Sequence, residues 1–305
     1  MNALPCLPLS LYHFVYQADN HLDRSQLSPS LWHGVFGLAL RERVCQVPEL
    51  SECKHCMLLQ QCDYPFLFEG VKPSDKNITA PANNVPVPHI FKVAAEQPVQ
   101  AERIKVSMVL VGTANRHLAT VIKTMQQLGK QGLGKSRTTL QLQQVIQASP
   151  QLSRLIMPEQ EPYPALPPQC QDIPDMPQAV QVIFKTPYRA PSQNSFDSGF
   201  FLRQIIRRVS SLQDFYTAQA LDADFQQLKQ LAQQADVQTA LFYQKQQRYS
   251  AKHQQLLEAG GLMGQLHINM KGLQALWPYL YLGQWLHVGK QASFGYGCYE
   301  LFAST

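Results

Sequence analysis

A glycine-rich stretch near the carboxyl end, residues 282–299, constrains the fold of this chain more than any other segment. Its four glycines are interspersed with aromatic residues, one lysine (Lys290) and one serine (Ser293). Glycine permits positive φ angles and close approach of the backbone to a ligand, and successive free N–H groups in such a loop form a concave anion site. Lys290 adds a positive charge, and the rings of Phe294 and Tyr296 offer faces on which a base can stack. On composition alone, a phosphate-binding loop and a turn that ties the last strand into a sheet are equally good interpretations.

The order of elements around these glycines excludes the dinucleotide-binding fingerprint. That fingerprint follows a strand and opens a helix, early in a β-α-β unit. Here a predicted helix, residues 273–282, precedes the glycines, and a predicted strand, residues 296–302, follows them.

Length and composition indicate a globular protein of two domains. The chain has 305 residues, which exceeds the usual size of one domain, and 45% of them are apolar. Its net charge of +5 allows a polyanionic partner without requiring one. No apolar run is long enough to span a bilayer and no signal peptide is recognisable, so we expect a cytoplasmic protein with no membrane partner. In that compartment the seven cysteines would stay reduced, which makes them poor disulfide candidates.

The predicted elements repeat in two halves. Apolar periodicity and helix start signals, such as Ser28 before Pro29, predict the order β-α-β-β-α-β in each half, which is that of a ferredoxin-like fold. A second turn of glycines and lysines occupies residues 129–137, again before the last strand of its half. A proline-dense stretch separates the halves. The sequence therefore predicts an α+β protein with two tandem ferredoxin-like domains, residues 1–149 and 179–305, joined by a linker at residues 150–178.

Four cysteines form a compact cluster directly after the first predicted helix. Cys45, Cys53, Cys56 and Cys62 have the spacing C-x7-C-x2-C-x5-C. A C-x2-C pair lets two thiolates reach one ion, and two further thiolates complete a tetrahedron. Free thiols are the alternative, and His55 is a substitute for one of the cysteines. We expect a structural zinc ion in this insert, because four protein ligands leave no open position for chemistry.

Four segments together resemble one family of proteins. The segments are the glycine-rich motif L-H-V-G-K-Q-A-S-F-G-Y-G at residues 286–297, the first-helix motif S-L-W-H-G-V-F-G-L-A-L-R at residues 30–41, the cysteine cluster running into residues 64–69, and residues 248–250 followed by 260–264. In this order they are similar to the motifs of the CRISPR-associated endoribonucleases that cut precursor CRISPR RNA within its repeats, in the cysteine-bearing branch of the RAMP superfamily.

The resemblance implies two ferredoxin-like domains with RNA bound across them. It implies cleavage without a metal ion, in which the 2′-hydroxyl upstream of the scissile phosphate attacks in line and leaves a 2′,3′-cyclic phosphate and a 5′-hydroxyl. The implied partner is the repeat of precursor CRISPR RNA, with subunits of a CRISPR effector complex as further candidates. A non-catalytic RNA-binding subunit of such a complex is the alternative, since it would share the fold and the glycine motif. A zinc-organised scaffold for a protein partner is a third.

Such a reaction needs a base with a pKa near neutrality, which favours histidine. Among nine histidines we expect His33 to be catalytic, because it lies on the flank of the first helix's apolar face, where it can point into a cleft between the domains. Many relatives have arginine at that position. His287 and His13 are the next candidates. His117 is better explained as a core histidine.

The expected RNA contacts are cationic or lie in the glycine turns. In the glycine-rich stretch they are Lys290 and Ser293, with the backbone N–H groups of Gly289 and Gly295. Outside it, the predicted contacts are Arg203 and Arg207 on the outward face of one helix, together with its neighbour Arg208, and Lys135 and Arg137 in the turn at residues 129–137.

Overall fold

The computed structural model describes residues 4–19, 28–74, 85–93, 103–134, 137–149, 153–157, 164–190, 196–250 and 255–304. The chain divides into two compact units. One unit is Pro8–Gln169, and the other combines Met1–Leu7 with Cys170–Thr305. Both are mixed α/β structures built on antiparallel sheets.

The first unit contains five strands and two α-helices among its described residues. In chain order they are β1 (Pro8–Ala18), α1 (Pro29–Val44), β2 (His89–Val93), β3 (Arg103–Val111), α2 (Leu118–Gln131), β4 (Leu140–Ala148) and β5 (Ser153–Met157). The sheet order is β2-β3-β1-β4-β5, and every pair is antiparallel. Without β5, the order β2-β3-β1-β4 is the strand order of a ferredoxin-like fold, which has the element order β-α-β-β-α-β.

Local sequence explains where α1 begins and which face it buries. The Ser28 side chain accepts a hydrogen bond from the Leu31 N–H at 3.2 Å, and Pro29 occupies the first helical turn. Trp32, Phe36 and other buried residues of α1 and α2 pack against the inward residues of β1, β2 and β3 in one hydrophobic core. Burial of these side chains on one face of the sheet holds both helices there.

Part of the stretch predicted as a linker belongs to the first sheet. Residues 153–157 form β5, which pairs with β4. Further along, the backbone N–H of Leu166 donates to Oε1 of Gln147 at 2.7 Å, and its carbonyl accepts from Nε2 of the same side chain at 2.9 Å. Proline density predicted an irregular path, but these backbone groups find partners on β4, which proline count alone does not reveal.

A two-residue strand, β6 (Gln169–Cys170), lies where the chain passes from the first unit into the second. The further elements of the second unit are β7 (Ala179–Tyr188), α3 (Ser198–Tyr216), α4 (Phe225–Gln234), β8 (Val237–Gln244), β9 (Gln247–Ser250), β10 (Gln255–Glu258), β11 (Gly261–Asn269), α5 (Trp277–Leu286) and β12 (Tyr299–Ser304). The main sheet has the order β12-β7-β11-β8, while β9 and β10 form a separate hairpin. No helix within the described residues is long and apolar enough to cross a membrane.

A disulfide joins Cys6 to Cys170 within the second unit. The expectation that all cysteines stay reduced is therefore wrong for this pair. The two Cα atoms lie 5.2 Å apart, within the range that a disulfide spans, although 164 positions separate them in sequence. The Cys6 N–H also donates to Oε1 of Gln213 on α3 at 3.1 Å. The redox state of the cytoplasm indicates whether cysteines in general stay reduced. It does not indicate which two cysteines, distant in sequence, lie next to each other in the fold.

Candidate nucleic-acid interface and catalytic residues

The glycine-rich loop connects α5 to β12 and relies on left-handed backbone angles. Gly289, Gly295 and Gly297 have φ angles of 93°, 94° and 66°, and the non-glycine residues His287 and Gln291 also have positive φ. A Cβ atom at Gly297 would overlap the carbonyl of Val288, and one at Gly289 would lie 2.8 Å from the carbonyl oxygen of Arg189. Glycine is thus required here both for conformation and for close backbone approach.

Most of the loop's N–H groups donate within the protein. The Gly295 N–H donates to the carbonyl of Ala292 at 3.0 Å, the Gly297 N–H to Pro187 at 2.9 Å, and the Val288 N–H to Gly297 at 3.1 Å. The predicted phosphate contact through the Gly295 N–H is therefore not available in this conformation. Because these donors close the turn, the loop's glycines serve primarily to fold it.

The side chains of the loop differ in how far they reach solvent. Ser293 is buried, with 9% of its surface exposed, so the predicted contact between its hydroxyl and RNA does not lie on the surface. Tyr296 is buried as well, whereas Lys290 is exposed and Phe294 is half-buried. Of the two predicted side-chain contacts, Lys290 is the one in reach of a ligand.

Arg189, directly after β7, is the residue that organises this loop, and sequence reasoning missed it. Its guanidinium donates to the Gln291 side chain and, at 3.0 Å, to the Glu258 carbonyl, and it lies over the Tyr296 ring at 5.5 Å. Its own carbonyl accepts the Lys290 N–H at 2.9 Å. In the sequence, Arg189 is marked only by its place at the end of a strand, between two prolines. That signal does not reveal its contact with Gln291, 102 positions later.

His33 is buried in an aromatic cluster of the first unit. Only 3% of its surface is exposed, and its ring centroid lies 4.6 Å from that of Phe68 and 5.1 Å from that of His89, on which it stacks. A Cβ atom at Gly37 would overlap the Phe68 ring, so the small residue one turn later lets Phe68 cover the helix. The expected orientation into a cleft is therefore not seen, while the catalytic role of His33 stays a prediction.

The other histidine candidates have different surroundings. His287 is buried at the start of the glycine-rich loop. His13 is half-buried, and its Nδ1 atom lies 2.7 Å from the hydroxyl of Ser107. His117 is not a core residue, because its Nδ1 atom lies 3.0 Å from a carboxylate oxygen of Asp63 and its side chain is 29% exposed. Asp63 also accepts from Thr120 at 2.7 Å, so this carboxylate ties the cysteine insert to the start of α2.

The cysteine insert does not contain a formed metal site. Within the residues that the structure describes, no three His, Cys, Asp or Glu side chains are grouped to hold a metal ion. The thiols nevertheless share one neighbourhood. Burial raises the pKa of the Cys62 thiol, and the nearby Cys45 and Cys56 raise it further. Burial, Glu69 and Cys62 raise the pKa of Cys53 to about 12. Cysteine is a residue type that binds zinc, while the ligand geometry predicted from the spacing is not shown.

Two of the predicted arginines line a groove between α3 and α4. A cavity of about 270 Å³ is bordered by the cations Arg203, Arg207 and Lys229, and its apolar wall includes Ile206 and Phe225, which is 46% exposed. A base can pack on the exposed ring while the cations bind phosphate. In the first unit, Arg137 is exposed in the turn before β4, and Lys135 lies outside the described residues.

Two family models match the chain. Residues 7–169 match the N-terminal domain AF_1859_N, and residues 182–299 match the CRISPR-associated endoribonuclease Cas6. Residues 182–299 thus match a Cas6 domain, and this match supports a CRISPR-associated endoribonuclease. The match to the Cas6 model includes Arg189, α3 and the glycine-rich loop up to Tyr299, while His33 and the four clustered cysteines lie in the AF_1859_N match.

Solved structures of Cas6 proteins share this fold. A Cas6 product complex has a TM-score of 0.55 and 14% identity, covering 97% of this chain and 99% of that one. Thermus thermophilus Cas6 has a TM-score of 0.52 and 10% identity, with the same coverage. A chain of a partial Cas6-RT-Cas1–Cas2 complex has a TM-score of 0.53 and 13% identity, covering 99% of this chain and 47% of that one. No curated protein sequence matches the chain.

The match of residues 182–299 to the Cas6 endoribonuclease model supports an RNA endonuclease as the coarse function of the chain. At identities this low, the similar structures establish the fold and do not transfer individual residues. A role for any single residue therefore rests on the geometry of this chain.

Proposed function

We propose that this chain cuts precursor CRISPR RNA within its repeats and does so without a metal ion. The observation that carries the proposal is the Cas6 match across residues 182–299, which includes a loop that exposes Lys290 beside the Arg189 cluster. One similar solved structure is a Cas6 product complex, and from that likeness we infer RNA as the ligand of this chain. We take each unit to be one ferredoxin-like domain, since both sheets have the matching strand order.

RNA contacts in the second unit come from cations on two surfaces. Lys290 contacts a phosphate from the glycine-rich loop, whose shape Gly289, Ser293 and Gly295 maintain. Arg203 and Arg207 contact the backbone from the groove between α3 and α4, with Phe225 as a stacking surface. Arg203 lies 3.8 Å from Asp197, a pair that is exposed on the carboxylate side and therefore weak enough to exchange for phosphate. Arg137, with Lys135, adds a contact in the first unit.

The reaction needs only groups that proteins supply. A base removes the 2′-hydroxyl proton, the 2′-oxygen forms a bond to phosphorus, and the bond from phosphorus to the 5′-oxygen breaks as that oxygen takes up a proton. The products are a 2′,3′-cyclic phosphate and a 5′-hydroxyl. His33 is the candidate base, and the ring of Phe68 must move aside before an RNA hydroxyl can reach it. Cations that contact the scissile phosphate stabilise the charge on the phosphorane.

Zinc has a structural role in this proposal and takes no part in the reaction. Cys45, Cys53, Cys56 and Cys62 would hold it, and the ion would cross-link an insert built mostly of short turns. The spacing and the neighbouring thiols support this assignment.

The test is a cleavage assay in EDTA with the repeat RNA of the neighbouring CRISPR array. We expect a single cut whose upstream product carries a 2′,3′-cyclic phosphate, and no cut in a matched RNA with one 2′-deoxynucleotide at the cleavage position. Cleavage that requires a divalent ion, or cleavage of the deoxy RNA, would contradict the proposal.

One observation favours a second candidate function, a non-catalytic RNA-binding subunit. The histidine expected to act as base is buried under Phe68. If the protein binds repeat RNA in the same assay and the bound RNA stays intact, that result would support the second function.

A further inference from the structure

The sheet of the first unit has one face that α1 and α2 cover and an opposite face that these helices leave open. Ile90, Val109 and Val111 are buried at one end of that opposite face, so its open part is the other end, where Lys105 is exposed and His13 and Lys92 are half-buried. Tyr12, Phe14 and Tyr16 of β1 belong to the core that both helices share. Side chains alternate along a strand, so His13 and Val15 point to the opposite face. The alternation in burial agrees, since Tyr12 and Phe14 are buried while His13 and Val15 are half-buried.

Three polar side chains form a row across this open face. Strand register places Lys92 of β2 opposite Ser107 of β3, and Ser107 opposite His13 of β1. Lys105 lies two residues before Ser107 on the same face, in the adjacent row. Nδ1 of His13 and Oγ of Ser107 are 2.7 Å apart, so the serine fixes the imidazole and leaves Nε2 as the second polar atom of the ring.

The electrostatic surroundings of His13 are positive. Burial lowers the pKa of His13, and the charges of Lys105 and Lys92 lower it further. On the other side of β1, Ile146 of β4 stands opposite His13 and Gln144 opposite Val15, so β4 brings no charge to these rows. Strand register thus places two lysines in the described rows around His13, and their ammonium groups can attract an anion.

We propose that Lys92, Lys105 and His13, positioned by Ser107, bind a backbone phosphate of an RNA strand lying across the open face of the first sheet. The proposal rests on the proposed function, because RNA is the ligand it assumes. An open sheet face suits an extended strand better than a small enclosed anion. Val15 and Ile146, beside the polar row, provide apolar surface for the adjoining sugar and base.

Binding of phosphate at this site takes up a proton. Burial and the two neighbouring lysines lower the pKa of His13 and so favour the neutral ring in the free protein. A phosphate within reach of Nε2 favours the imidazolium form, in which both ring nitrogens donate. Affinity for RNA should therefore rise as the pH falls from 7.5 toward 5.5, and the His13 pKa should rise when RNA binds.

The experiment measures the affinity of full-length protein for repeat RNA carrying a 2′-deoxynucleotide at the cleavage position, at several salt concentrations and at pH 6.0 and 7.5. The variants are Lys92→Gln, Lys105→Gln and His13→Gln. Lys123→Gln, an exposed lysine of α2, is the control with the same change of charge. Circular dichroism melts establish that each variant is folded, and cleavage of unmodified RNA is measured on the same preparations.

We expect each of Lys92→Gln and Lys105→Gln to reduce the slope of log affinity against log salt by about 0.7–0.9. Between 50 and 200 mM salt, each variant should therefore lose roughly threefold less affinity than the wild type does. Lys123→Gln should match the wild type. His13→Gln should remove part of the pH dependence of binding.

Salt slopes of Lys92→Gln and Lys105→Gln that match Lys123→Gln would overturn this site, and normal cleavage by the wild type would show that the proposed function survives. A site for free anions is the other negative result. In that case 10 mM inorganic phosphate would shift the His13 ring resonances of labelled protein, while RNA would leave them unchanged. Absence of any RNA binding or cleavage by the wild type would count against the proposed function itself.

Discussion

The guanidinium of Arg208 on α3 donates from Nε to the carbonyl oxygen of Leu286, the last residue of α5, at 3.2 Å. Desolvation lowers the pKa of Arg208 to about 10, so the group remains charged at neutral pH. A cation is favourable at a helix carboxyl end because of the helix dipole. The next residue, His287, begins the glycine-rich loop, so Arg208 fixes the point at which that loop leaves α5. The sequence had placed Arg208 on the outward face with Arg207.

Replacement of Arg208 should therefore affect the loop as well as stability. We expect Arg208→Met to lower the free energy of unfolding by roughly 1–3 kcal/mol, because it leaves a carbonyl without its donor. Amide hydrogen exchange at Val288 and Gly297 should become faster. Arg207→Met, an exposed neighbour, is the control and should change neither quantity. Equal melting temperatures for the two variants would contradict the assignment.

Two glycine positions separate backbone strain from steric overlap. Gly297 and Gly272 both have positive φ, at 66° and 79°, but a Cβ at Gly297 would overlap the Val288 carbonyl, whereas at Gly272 it would meet nothing within 4 Å. We expect Gly272→Ala to cost about 1–2 kcal/mol of stability and Gly297→Ala to cost at least about 3 kcal/mol. Denaturant unfolding measures both. A smaller loss for Gly297→Ala than for Gly272→Ala would show that the loop can rearrange.

The catalytic hypothesis for His33 can be separated from its packing role by two substitutions. His33→Ala removes the ring, while His33→Phe keeps an aromatic ring beside Phe68 and removes the titrating nitrogens. If His33 is the base, both variants should cleave about 10²–10⁴-fold more slowly in single turnover, with unchanged affinity for repeat RNA. His33→Phe should also unfold near the wild-type temperature. Cleavage by His33→Phe at the wild-type rate would assign His33 to the aromatic cluster alone.

The zinc hypothesis predicts one metal ion per chain. Elemental analysis of protein purified without chelator should give about one zinc per chain, and Cys56→Ser should lower both the zinc content and the melting temperature. Cys298→Ser, a cysteine of the second unit outside the cluster, is the control and should retain zinc. The cleavage rate per folded molecule should remain similar in Cys56→Ser, since the ion is structural. Metal-free protein with a normal melting temperature would end the hypothesis.

Local signals predicted the elements well where the relevant residues are close in sequence. Ser28 and Pro29 predicted the start of α1, and apolar alternation predicted β1 and β3, because capping and strand burial act over a few residues. The order of elements predicted antiparallel α/β units. A 3-10 turn over Gly112–His117 precedes the second helix, so α2 starts at Leu118.

The arrangement of the candidate site depended on contacts between distant positions and could not be predicted. His33 was expected to reach a cleft because the apolar face of α1 has a visible edge there. Phe68, from an insert 35 positions later, covers that edge. The glycine-rich composition indicated free N–H groups, but the turn consumes them with the carbonyls of Pro187, Ala292 and Gly297. A glycine-rich composition predicts where the backbone turns sharply. It does not reveal which backbone N–H groups donate hydrogen bonds within that turn.

The bond between Cys6 and Cys170 turns the intervening chain into a closed ring, with the whole of Pro8–Gln169 inside it. A protease that cuts once between these cysteines would leave two fragments that migrate together until a reductant separates them. During synthesis, residues 4–7 must wait for their partners, Cys170 and Gln213, until every element from β1 through α3 has left the ribosome. Residues 4–7 therefore complete the second unit late. They have neither the disulfide partner nor the Gln213 hydrogen bond while the first unit is already able to fold around its own sheet.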